Sequence, residues 1–197
     1  GLEDFCGHEK IPYMPIMESI VSLIEGHLKE HAIKKPGGQH ELNKEYFRRI
    51  EAINYTLEHD DGQGKETLNQ AEIIIVGVSR TSKTPTCIYL ANLGIKAANV
   101  PLLPGQDLPK EITKAKNSLV VSLIISPKSL VEIRQKRTKN LGLEEPKDQY
   151  TDLYNVEKEI ENAKKIFSSR SWPIIDTTRR SVEETAAAIL NIRSQGN

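Results

Sequence analysis

The stretch Ile73-Ile74-Ile75-Val76-Gly77-Val78-Ser79-Arg80-Thr81-Ser82-Lys83-Thr84 decides the fold of this chain. Four consecutive β-branched residues precede Gly77, and such a run predicts a buried strand. The run from Thr84 to Gly94 predicts a helix with Pro85 in its first turn and a glycine at its C-terminal end. A strand, a loop and a helix in this order place a helix N-terminus where it can bind phosphate.

The loop between that strand and that helix matches a phosphate-binding P-loop at all but one position. The pattern is a Gly, four free positions and then Gly-Lys-Ser/Thr; backbone N–H groups hold phosphate, the Lys reaches the outer phosphates and the hydroxyl ligates Mg²⁺. Ser82 replaces the second glycine, which normally lets the backbone approach phosphate without a Cβ. An ordinary strand-to-helix turn is the alternative. The predicted nucleotide-binding residues are Gly77, Val78, Ser79, Arg80, Thr81, Ser82, Lys83 and Thr84.

Composition is typical of a globular α/β protein. The 197 residues are 38% hydrophobic and carry 27 basic and 27 acidic side chains. Because the charges balance, no global field attracts nucleic acid or an anionic membrane, and no apolar stretch approaches the length of a membrane span. The two cysteines, Cys6 and Cys87, are too few for a disulfide framework. We therefore expect a cytoplasmic protein that binds neither nucleic acid nor membrane.

Apolar residues recur at helical spacing in two segments ahead of the P-loop strand. One helix is predicted from Ile16 to Leu28 and another from Asn43 to His59. A glycine-rich acidic turn, Asp60 to Gly64, ends the second. These segments predict a helical N-terminal part, residues 1–64.

Strand and helix patterns alternate after the P-loop unit. Three apolar segments predict strands, at 97–103, 119–125 and 173–175. Three further segments predict helices, at 129–138, 153–167 and 181–192. The last of these begins with a capping box formed by Ser181 and Glu184. Alternation of this kind predicts a mostly parallel sheet flanked by helices, so residues 65–197 are expected to form an α/β domain.

Carboxylates at two places are candidates for the chemistry. Asp60 and Asp61 lie in the turn before the P-loop strand, and phosphoryl transfer to a protein hydroxyl needs a carboxylate that accepts the hydroxyl proton. An exposed turn is the alternative for an Asp-Asp-Gly sequence. Asp176 follows the last strand, where it would ligate Mg²⁺ with Thr84 or merely begin the next helix. The predicted catalytic residues are thus Lys83, Asp60 and Asp61, and the predicted metal ligands are Thr84 and Asp176.

A basic segment follows Ser126-Pro127. Its members are Lys128, Arg134, Lys136, Arg137 and Lys139. Such a cluster suits a phosphoprotein or an acidic partner surface, and a solvated helix face is the alternative.

Seven phrases spread over nearly the whole chain carry a family resemblance. They are Tyr46 to Ala52, His59 to Gly62, Gly77 to Thr86, Gly94 to Pro101, Ile125 to Pro127, Trp172 to Ser181 and Glu183 to Ala186. Together they closely resemble the pyruvate, phosphate dikinase regulatory protein family. Within that family, Ser82 in place of the second P-loop glycine is a common trait.

The resemblance implies a bifunctional enzyme. One activity is a serine/threonine kinase that uses ADP to phosphorylate a Thr near the phosphorylated catalytic His of the dikinase. The other is a phosphorylase that uses inorganic phosphate to remove this group and releases pyrophosphate. ADP, inorganic phosphate and Mg²⁺ are the implied ligands, with Asp60 or Asp61 as proton acceptor. The dikinase is the implied partner, and the resemblance also suggests a homodimer.

Several alternatives stay open. A sister group acts on phosphoenolpyruvate synthase, and its loop is closer to Arg-Cys-Gly-Lys-Thr, so Thr81-Ser82-Lys83 favours the dikinase-directed group. The family carries a further N-terminal stretch, so we expect residues 1–64 to be the remnant of a longer region. If that stretch contributes to the sheet, to a dimer surface or to target binding, the chain would be a nucleotide- or phosphate-binding module that lacks catalysis. A small-molecule nucleotide kinase is the remaining alternative.

Overall fold

Two compact units make up the chain, residues 1–42 and residues 43–197. The computed structural model describes residues 2–32, 44–140 and 150–195. The first unit contains α1 (Leu2–His8), which was not predicted, and α2 (Ile16–Leu28), whose bounds are those that the apolar spacing predicts. None of the helices in the described ranges combines the length and the apolar composition that a membrane span requires.

The second unit alternates strands and helices. Its elements in chain order are α3 (Lys44–Glu58), a 3-10 helix (Lys65–Gln70), β1 (Ile73–Gly77), α4 (Lys83–Asn92), β2 (Ala97–Pro101), α5 (Glu111–Lys114), β3 (Leu119–Ile124), α6 (Pro127–Asn140), α7 (Leu153–Ser169), β4 (Ile174–Asp176) and α8 (Val182–Gln195). Every strand and helix predicted in this part of the chain is present, with ends displaced by a few residues. The 3-10 helix and α5 were not predicted, because each is too short to show a periodic pattern.

The described strands form one parallel sheet in the order β2-β1-β3-β4. Ile73 of β1 is paired with Ala97 of β2 on one side and with Leu119 of β3 on the other. This confirms the predicted α/β fold with a parallel sheet and flanking helices. Because β1 is central and all strands run in one direction, the loops that follow them meet at one edge of the sheet.

Helices cover both faces of the sheet, and β1 divides its side chains between them. Ile73 and Ile75 pack with residues of α4 and α8, whereas Ile74 and Val76 pack with residues of α6 and α7. All five β1 residues are buried. Burial of an Ile side chain stabilises a fold by about 1.5–3 kcal/mol, so this strand is a major part of the core. Cys87 of α4 is also buried, and burial raises the pKa of its thiol.

Helix α3 packs with the α/β unit. It contacts α4 and β2, and Ala52, Tyr55 and Thr56 are its buried residues. Thr56 Oγ1 donates a hydrogen bond of 2.8 Å to the carbonyl oxygen of Ala97 and accepts one of 3.2 Å from the Ala97 N–H. This packing brings the turn after α3 to the end of β2.

The capping box predicted at the start of α8 is present. Ser181 Oγ accepts a hydrogen bond of 3.1 Å from the Glu184 N–H, and the Glu184 carboxylate accepts one of 2.8 Å from the Ser181 N–H. Each residue satisfies a backbone donor that the first turn of the helix would otherwise leave unpaired.

Candidate active site

The loop between β1 and α4 begins with a glycine that the packing requires. A Cβ on Gly77 would lie 2.6 Å from the carbonyl oxygen of Leu123 in β3 and 2.9 Å from Thr81 Oγ1. Neither of these atoms can move aside easily, because the first is backbone of the neighbouring strand and the second belongs to the fully buried Thr81. Gly77 therefore lets β1 end close against β3 and direct the loop towards the sheet edge.

Ser82 shows why a glycine is common just before the lysine of such loops. Its φ of 61° lies in the left-handed region, and Arg80 has a φ of 75°. A non-glycine residue in this region costs about 1–2 kcal/mol. Ser82 makes no side-chain capping bond within the described residues, so the hydroxyl does not offset this strain. The loop thus keeps the backbone shape of a glycine position while carrying a serine.

Lys83 is buried at the first position of α4. Its ammonium donates a hydrogen bond of 2.8 Å to the carbonyl oxygen of Val78, which also accepts one of 3.0 Å from Thr81 Oγ1. Burial lowers the pKa of Lys83 from 10.5 to about 8, although the neighbouring Asp61 carboxylate acts in the opposite direction. An anion at the loop would stabilise the charged form of this buried ammonium.

The two carboxylates of the turn after α3 lie beside this helix start. Asp60 Oδ1 accepts hydrogen bonds of 3.0 Å from Thr84 Oγ1 and 2.6 Å from Asn99 Nδ2. Asn99 Nδ2 also lies 3.0 Å from Thr84 Oγ1 and 3.5 Å from Asp61 Oδ1. Asp60 is therefore tied to both α4 and β2, whereas Asp61 has only the longest of these contacts.

Backbone hydrogen bonds fix the turn against β2. The Asn99 N–H donates to the carbonyl oxygen of His59 at 2.9 Å, and the Gly62 N–H donates to the carbonyl oxygen of Asn99, also at 2.9 Å. Asp61 and Gly62 both have left-handed backbones, with φ of 49° and 78°. This sharp turn is what places two consecutive carboxylates at the end of the sheet.

His59 anchors the turn from behind. Its Nδ1 lies 2.7 Å from the carbonyl oxygen of Tyr55 and its Nε2 lies 2.8 Å from Thr67 Oγ1. The imidazole also stacks on the Tyr55 ring, with the ring centres 3.8 Å apart. Since a carbonyl only accepts hydrogen bonds, Nδ1 carries a proton, and the Thr67 hydroxyl also donates to the carbonyl oxygen of Gly64 at 3.3 Å. Both nitrogens are thus engaged in holding the fold.

An open cavity of about 540 Å³ joins the loop to the turn. Its lining is Asp61, Ser79, Arg80, Ser82, Lys83, Thr84, Pro85, Asn99, Pro101, Leu103 and Ile133. Two polar atoms at this cavity are buried without a hydrogen-bond partner in the described part of the chain, Arg80 Nε and Asn99 Oδ1. The residues that carry these two atoms, Arg80 and Asn99, both line the cavity.

Asp176 does not line this cavity. Its carboxylate accepts hydrogen bonds of 2.8 Å from the Thr178 N–H and 2.6 Å from Thr178 Oγ1. Thr178 Oγ1 in turn accepts one of 2.8 Å from the Ser126 N–H. These hydrogen bonds organise the loop after β4. Because β4 is two strands away from β1, the structure does not bring Asp176 together with Thr84.

Arg134 is buried, contrary to its assignment to a basic surface segment. Only 2% of its side chain is exposed, and it forms a two-pronged ion pair with Glu159 of α7 at 2.8 and 2.9 Å. It also donates to the carbonyl oxygen of Ser79 at 3.4 Å. The pattern suggested a solvated helix, but Arg134 faces α7 and the phosphate loop. The other basic residues are exposed, namely Lys128, Lys136, Arg137 and Lys139.

A second cavity, of about 600 Å³, lies between the segment after β2 and α7. It shares Leu103 with the first cavity and is lined by Glu159, the partner of Arg134. It contains none of the predicted catalytic residues. The smaller of these two cavities is the candidate active site, because the predicted catalytic residues Lys83 and Asp61 line it.

Sequence reasoning missed Asn99 and Glu159. Asn99 was included in a predicted apolar strand, where a polar residue between alanine and valine was the available signal. Glu159 is one of several acidic residues in α7, so nothing local distinguished it.

Comparison with known proteins matches nearly the whole chain to one family. The sequence profile described as kinase/pyrophosphorylase matches residues 1–190. Proteins designated pyruvate, phosphate dikinase regulatory protein are similar to this chain in Caulobacter vibrioides (48% identity), Bradyrhizobium diazoefficiens (47%) and Bartonella tribocorum (48%). The matches cover 98–100% of this chain and 62%, 69% and 70% of those proteins, respectively.

Proposed function

The chain belongs to the kinase/pyrophosphorylase family, and on that premise we propose that it is a bifunctional regulator of pyruvate, phosphate dikinase. As a kinase it would transfer a phosphoryl group from ADP to a Thr of the dikinase. As a phosphorylase it would transfer that group to inorganic phosphate and release pyrophosphate. The names of similar proteins support the target, and the free thiols of Cys6 and Cys87 suit the cytoplasm.

One observation carries the proposal: residues of the glycine-containing loop, the buried Lys83 and the Asp61 carboxylate line the same cavity. Phosphoryl transfer needs groups that neutralise phosphate charge and a base that takes a proton from the attacking hydroxyl. Lys83, Arg80 and the loop N–H groups supply the first. Of the two predicted carboxylates, Asp61 supplies the second, because Asp60 is held by Thr84 and Asn99.

In the kinase direction the outer phosphate of ADP would lie against the loop. The threonine oxygen forms a bond to the β-phosphorus while the bond to the bridging oxygen of ADP breaks, so AMP leaves. Asp61 accepts the hydroxyl proton, and Lys83 stabilises the charge on the transferred group.

The phosphorylase direction uses the same groups in the other order. An oxygen of inorganic phosphate, held at the loop, forms a bond to the phosphorus of phosphothreonine while the threonine C–O–P bridge breaks at phosphorus. Asp61 takes a proton from the attacking hydrogen phosphate and passes it to the threonine oxygen, and pyrophosphate leaves. One cavity therefore suffices for both reactions.

Mg²⁺ is the cation implied by the family and by the loop. Thr84, the residue that ligates the cation in such loops, is present at the start of α4, and oxygen atoms of the Asp60 turn lie next to it. Mg²⁺ prefers oxygen ligands, so these residues fit it, and bound there it would neutralise part of the phosphate charge.

The test is to incubate the chain with histidine-phosphorylated dikinase, Mg²⁺ and either ADP or ATP, and to analyse the active-site peptide by mass spectrometry. Phosphothreonine that forms with ADP and not with ATP supports the kinase. Its removal with phosphate, and release of pyrophosphate, supports the phosphorylase. Lys83→Ala is expected to abolish both. Unchanged transfer in that variant would reject the assigned site.

The same assay separates the remaining alternatives. If a phosphoryl group is transferred to phosphoenolpyruvate synthase and none to dikinase, the synthase is the target instead of the dikinase. Binding of ADP without any transfer would leave a nucleotide-binding module, and turnover of nucleotide without a protein acceptor would favour a small-molecule kinase. A homodimer stays a prediction, which sedimentation of the chain with and without ADP would test.

A further inference from the structure

The larger cavity, of about 600 Å³, adjoins the candidate active site along helix α7. Its walls are residues 102–107 and one face of α7, and Leu103 lines both cavities. The Leu102 N–H donates a hydrogen bond of 2.9 Å to the carbonyl oxygen of Gly77, where the phosphate loop begins. One wall of the larger cavity is thus fixed to the loop that would hold phosphate.

The other wall is also joined to the phosphate loop. Glu159 of α7 lines the larger cavity and forms the ion pair with Arg134, at 2.8 and 2.9 Å. Arg134 donates in turn to the carbonyl oxygen of Ser79, a residue that lines the smaller cavity. The two cavities therefore share their supporting contacts, and a molecule that extends from the smaller cavity past Leu103 enters the larger one.

The face of α7 in the larger cavity is long and mainly polar. Its lining residues are Asn155, Lys158, Glu159, Asn162 and Ile166. From position 155 to position 166 a helix rises about 16 Å, at about 1.5 Å per residue. An extended polypeptide covers this length with about five residues, at about 3.3 Å each. The lining therefore has the length of a short extended peptide.

Carboxamide side chains supply most of the hydrogen-bonding capacity in this cavity. Asn155 and Asn162 are two helical turns apart on α7, and Gln106 lies on the opposite wall. None of the three carboxamides has a hydrogen-bond partner within the described residues. A carboxamide both donates and accepts hydrogen bonds, as a peptide group does. The lining can therefore pair with the backbone of an extended chain.

The charge of the lining does not suit a nucleotide. Asp107 and Lys158 balance each other, and Glu159 is already paired with Arg134, so no excess positive charge is available to phosphates. Among the described residues that line the cavity there is no aromatic ring on which a base would stack. A polypeptide accounts for the carboxamides, the length and the balanced charge together.

We propose that the larger cavity binds the polypeptide segment that flanks the acceptor threonine of the target, in an extended conformation along α7. This inference rests on the proposed function, because the threonine itself must reach Asp61 in the smaller cavity. The flanking segment passes Leu103, and its peptide groups pair with Asn155 and Asn162. Docking of this kind positions the threonine and leaves the binding of ADP to the phosphate loop.

The first experiment separates binding of the target from binding of ADP. Transfer from ADP is measured by quantitative mass spectrometry at a series of dikinase concentrations. The double variant Asn155→Ala, Asn162→Ala should raise KM for the dikinase by about tenfold, through the loss of hydrogen bonds to the bound segment. Its kcat and its ADP affinity by calorimetry should stay unchanged, because only uniform binding of the target is removed. Alanine has the higher helix propensity, so α7 should stay folded.

Asn191→Ala is the matched control, since it changes an exposed asparagine of α8 outside both cavities. It should leave KM for the dikinase unaltered. An unchanged KM in the double variant, or an equal rise in Asn191→Ala, would overturn the proposal.

The second experiment locates the bound segment without relying on catalysis. A photoreactive benzophenone is introduced as Lys158→p-benzoylphenylalanine, and the chain is irradiated with the dikinase. The cross-linked dikinase peptide should lie within about five residues of the target threonine. Irradiation of the unsubstituted chain with 2-azido-ADP should label neither α7 nor residues 102–107. Labelling there would assign the larger cavity to the nucleoside and overturn the proposal.

Failure of the two proposals can be told apart. A chain that transfers no phosphoryl group to the dikinase, but cross-links through position 158 to the threonine segment, rejects the proposed function and retains the docking site. A chain that transfers the group, but cross-links elsewhere on the dikinase or not at all, rejects the docking site alone.

Discussion

The ammonium of Lys83 donates a 2.8 Å hydrogen bond to the carbonyl oxygen of Val78, five residues earlier in the same loop. The lysine that would neutralise a phosphate is thus buried against its own backbone, and burial lowers its pKa to about 8. A charged form that is poorly solvated gains more from a phosphate than a surface lysine would.

Lys83→Met is expected to stabilise the ligand-free chain and to abolish ADP binding. Burial disfavours the charged native state, so the unfolded state, with a pKa of 10.5, binds more protons between pH 8 and 10.5. The resulting destabilisation is complete below about pH 8 and disappears as pH rises through 10.5. At pH 7 in EDTA the substitution should raise the free energy of unfolding by about 3 kcal/mol. Urea titrations at pH 7 and pH 10.5 would show this gain and its loss; an equal gain at both would contradict the explanation.

Asp61→Asn is expected to reduce phosphoryl transfer to the dikinase by about 10²–10⁴-fold, because the amide cannot accept the hydroxyl proton. ADP affinity should change little, since the loop supplies most phosphate contacts. Quantitative mass spectrometry of the target peptide, beside calorimetry with ADP, provides both values. Asp4→Asn changes an exposed carboxylate outside this cavity and should leave transfer unaltered. Equal losses in the two variants would argue against a catalytic role for Asp61.

Ser82→Gly is expected to stabilise the chain by about 1 kcal/mol, because glycine adopts a φ of 61° without steric cost. Ser79→Gly is the matched control in the same loop. Ser79 lies outside the left-handed region, so glycine there only adds freedom to the unfolded chain and should destabilise by about 0.5–1 kcal/mol. Thermal unfolding of both variants measures the change in stability. A change of the same sign in both variants would contradict the explanation by backbone strain at Ser82.

Arg134→Met is expected to destabilise the chain by about 3–5 kcal/mol, because it leaves the Glu159 carboxylate, which is only 14% exposed, without its partner. The double variant Arg134→Met, Glu159→Leu should recover much of this loss, since it removes both charges of the ion pair. Arg137→Met, on an exposed position of the same helix, should change stability by less than about 0.5 kcal/mol. Urea unfolding measures all three. A double variant that is as unstable as Arg134→Met would show that packing, and not charge, dominates here.

The order and type of the main elements were predictable because the signals are strong. Four β-branched residues before Gly77 indicate a strand, and apolar residues repeated at helical spacing over long segments indicate helices. A parallel sheet follows from the alternation of strands and helices along the chain. Of the candidate site, a local pattern indicated only the loop from Gly77 to Thr84, several residues of which line the cavity. Asp176 was proposed because it ends a strand, but strand order puts β4 away from β1, and no local pattern specifies strand order.

Local sequence patterns also did not predict which residues pair with the buried polar side chains. Arg134 meets Glu159 across 25 positions of the chain, and Asn99 meets Asp60 across 39. Such pairs depend on how helices dock on the sheet, which a single sequence does not reveal through periodicity. A lone asparagine within apolar β2 was the one visible sign that a polar group would be required there.

The hydrogen bonds between the Asp60 turn, α4 and β2 lie within one continuous stretch of chain, residues 59–101. During synthesis this stretch leaves the ribosome well before β4, which begins at Ile174. The carboxylates, the phosphate loop and Asn99 can therefore assemble while the C-terminal edge of the sheet is still being translated. A nascent chain that binds nucleotide at this stage would gain stability from its ligand before its core is complete.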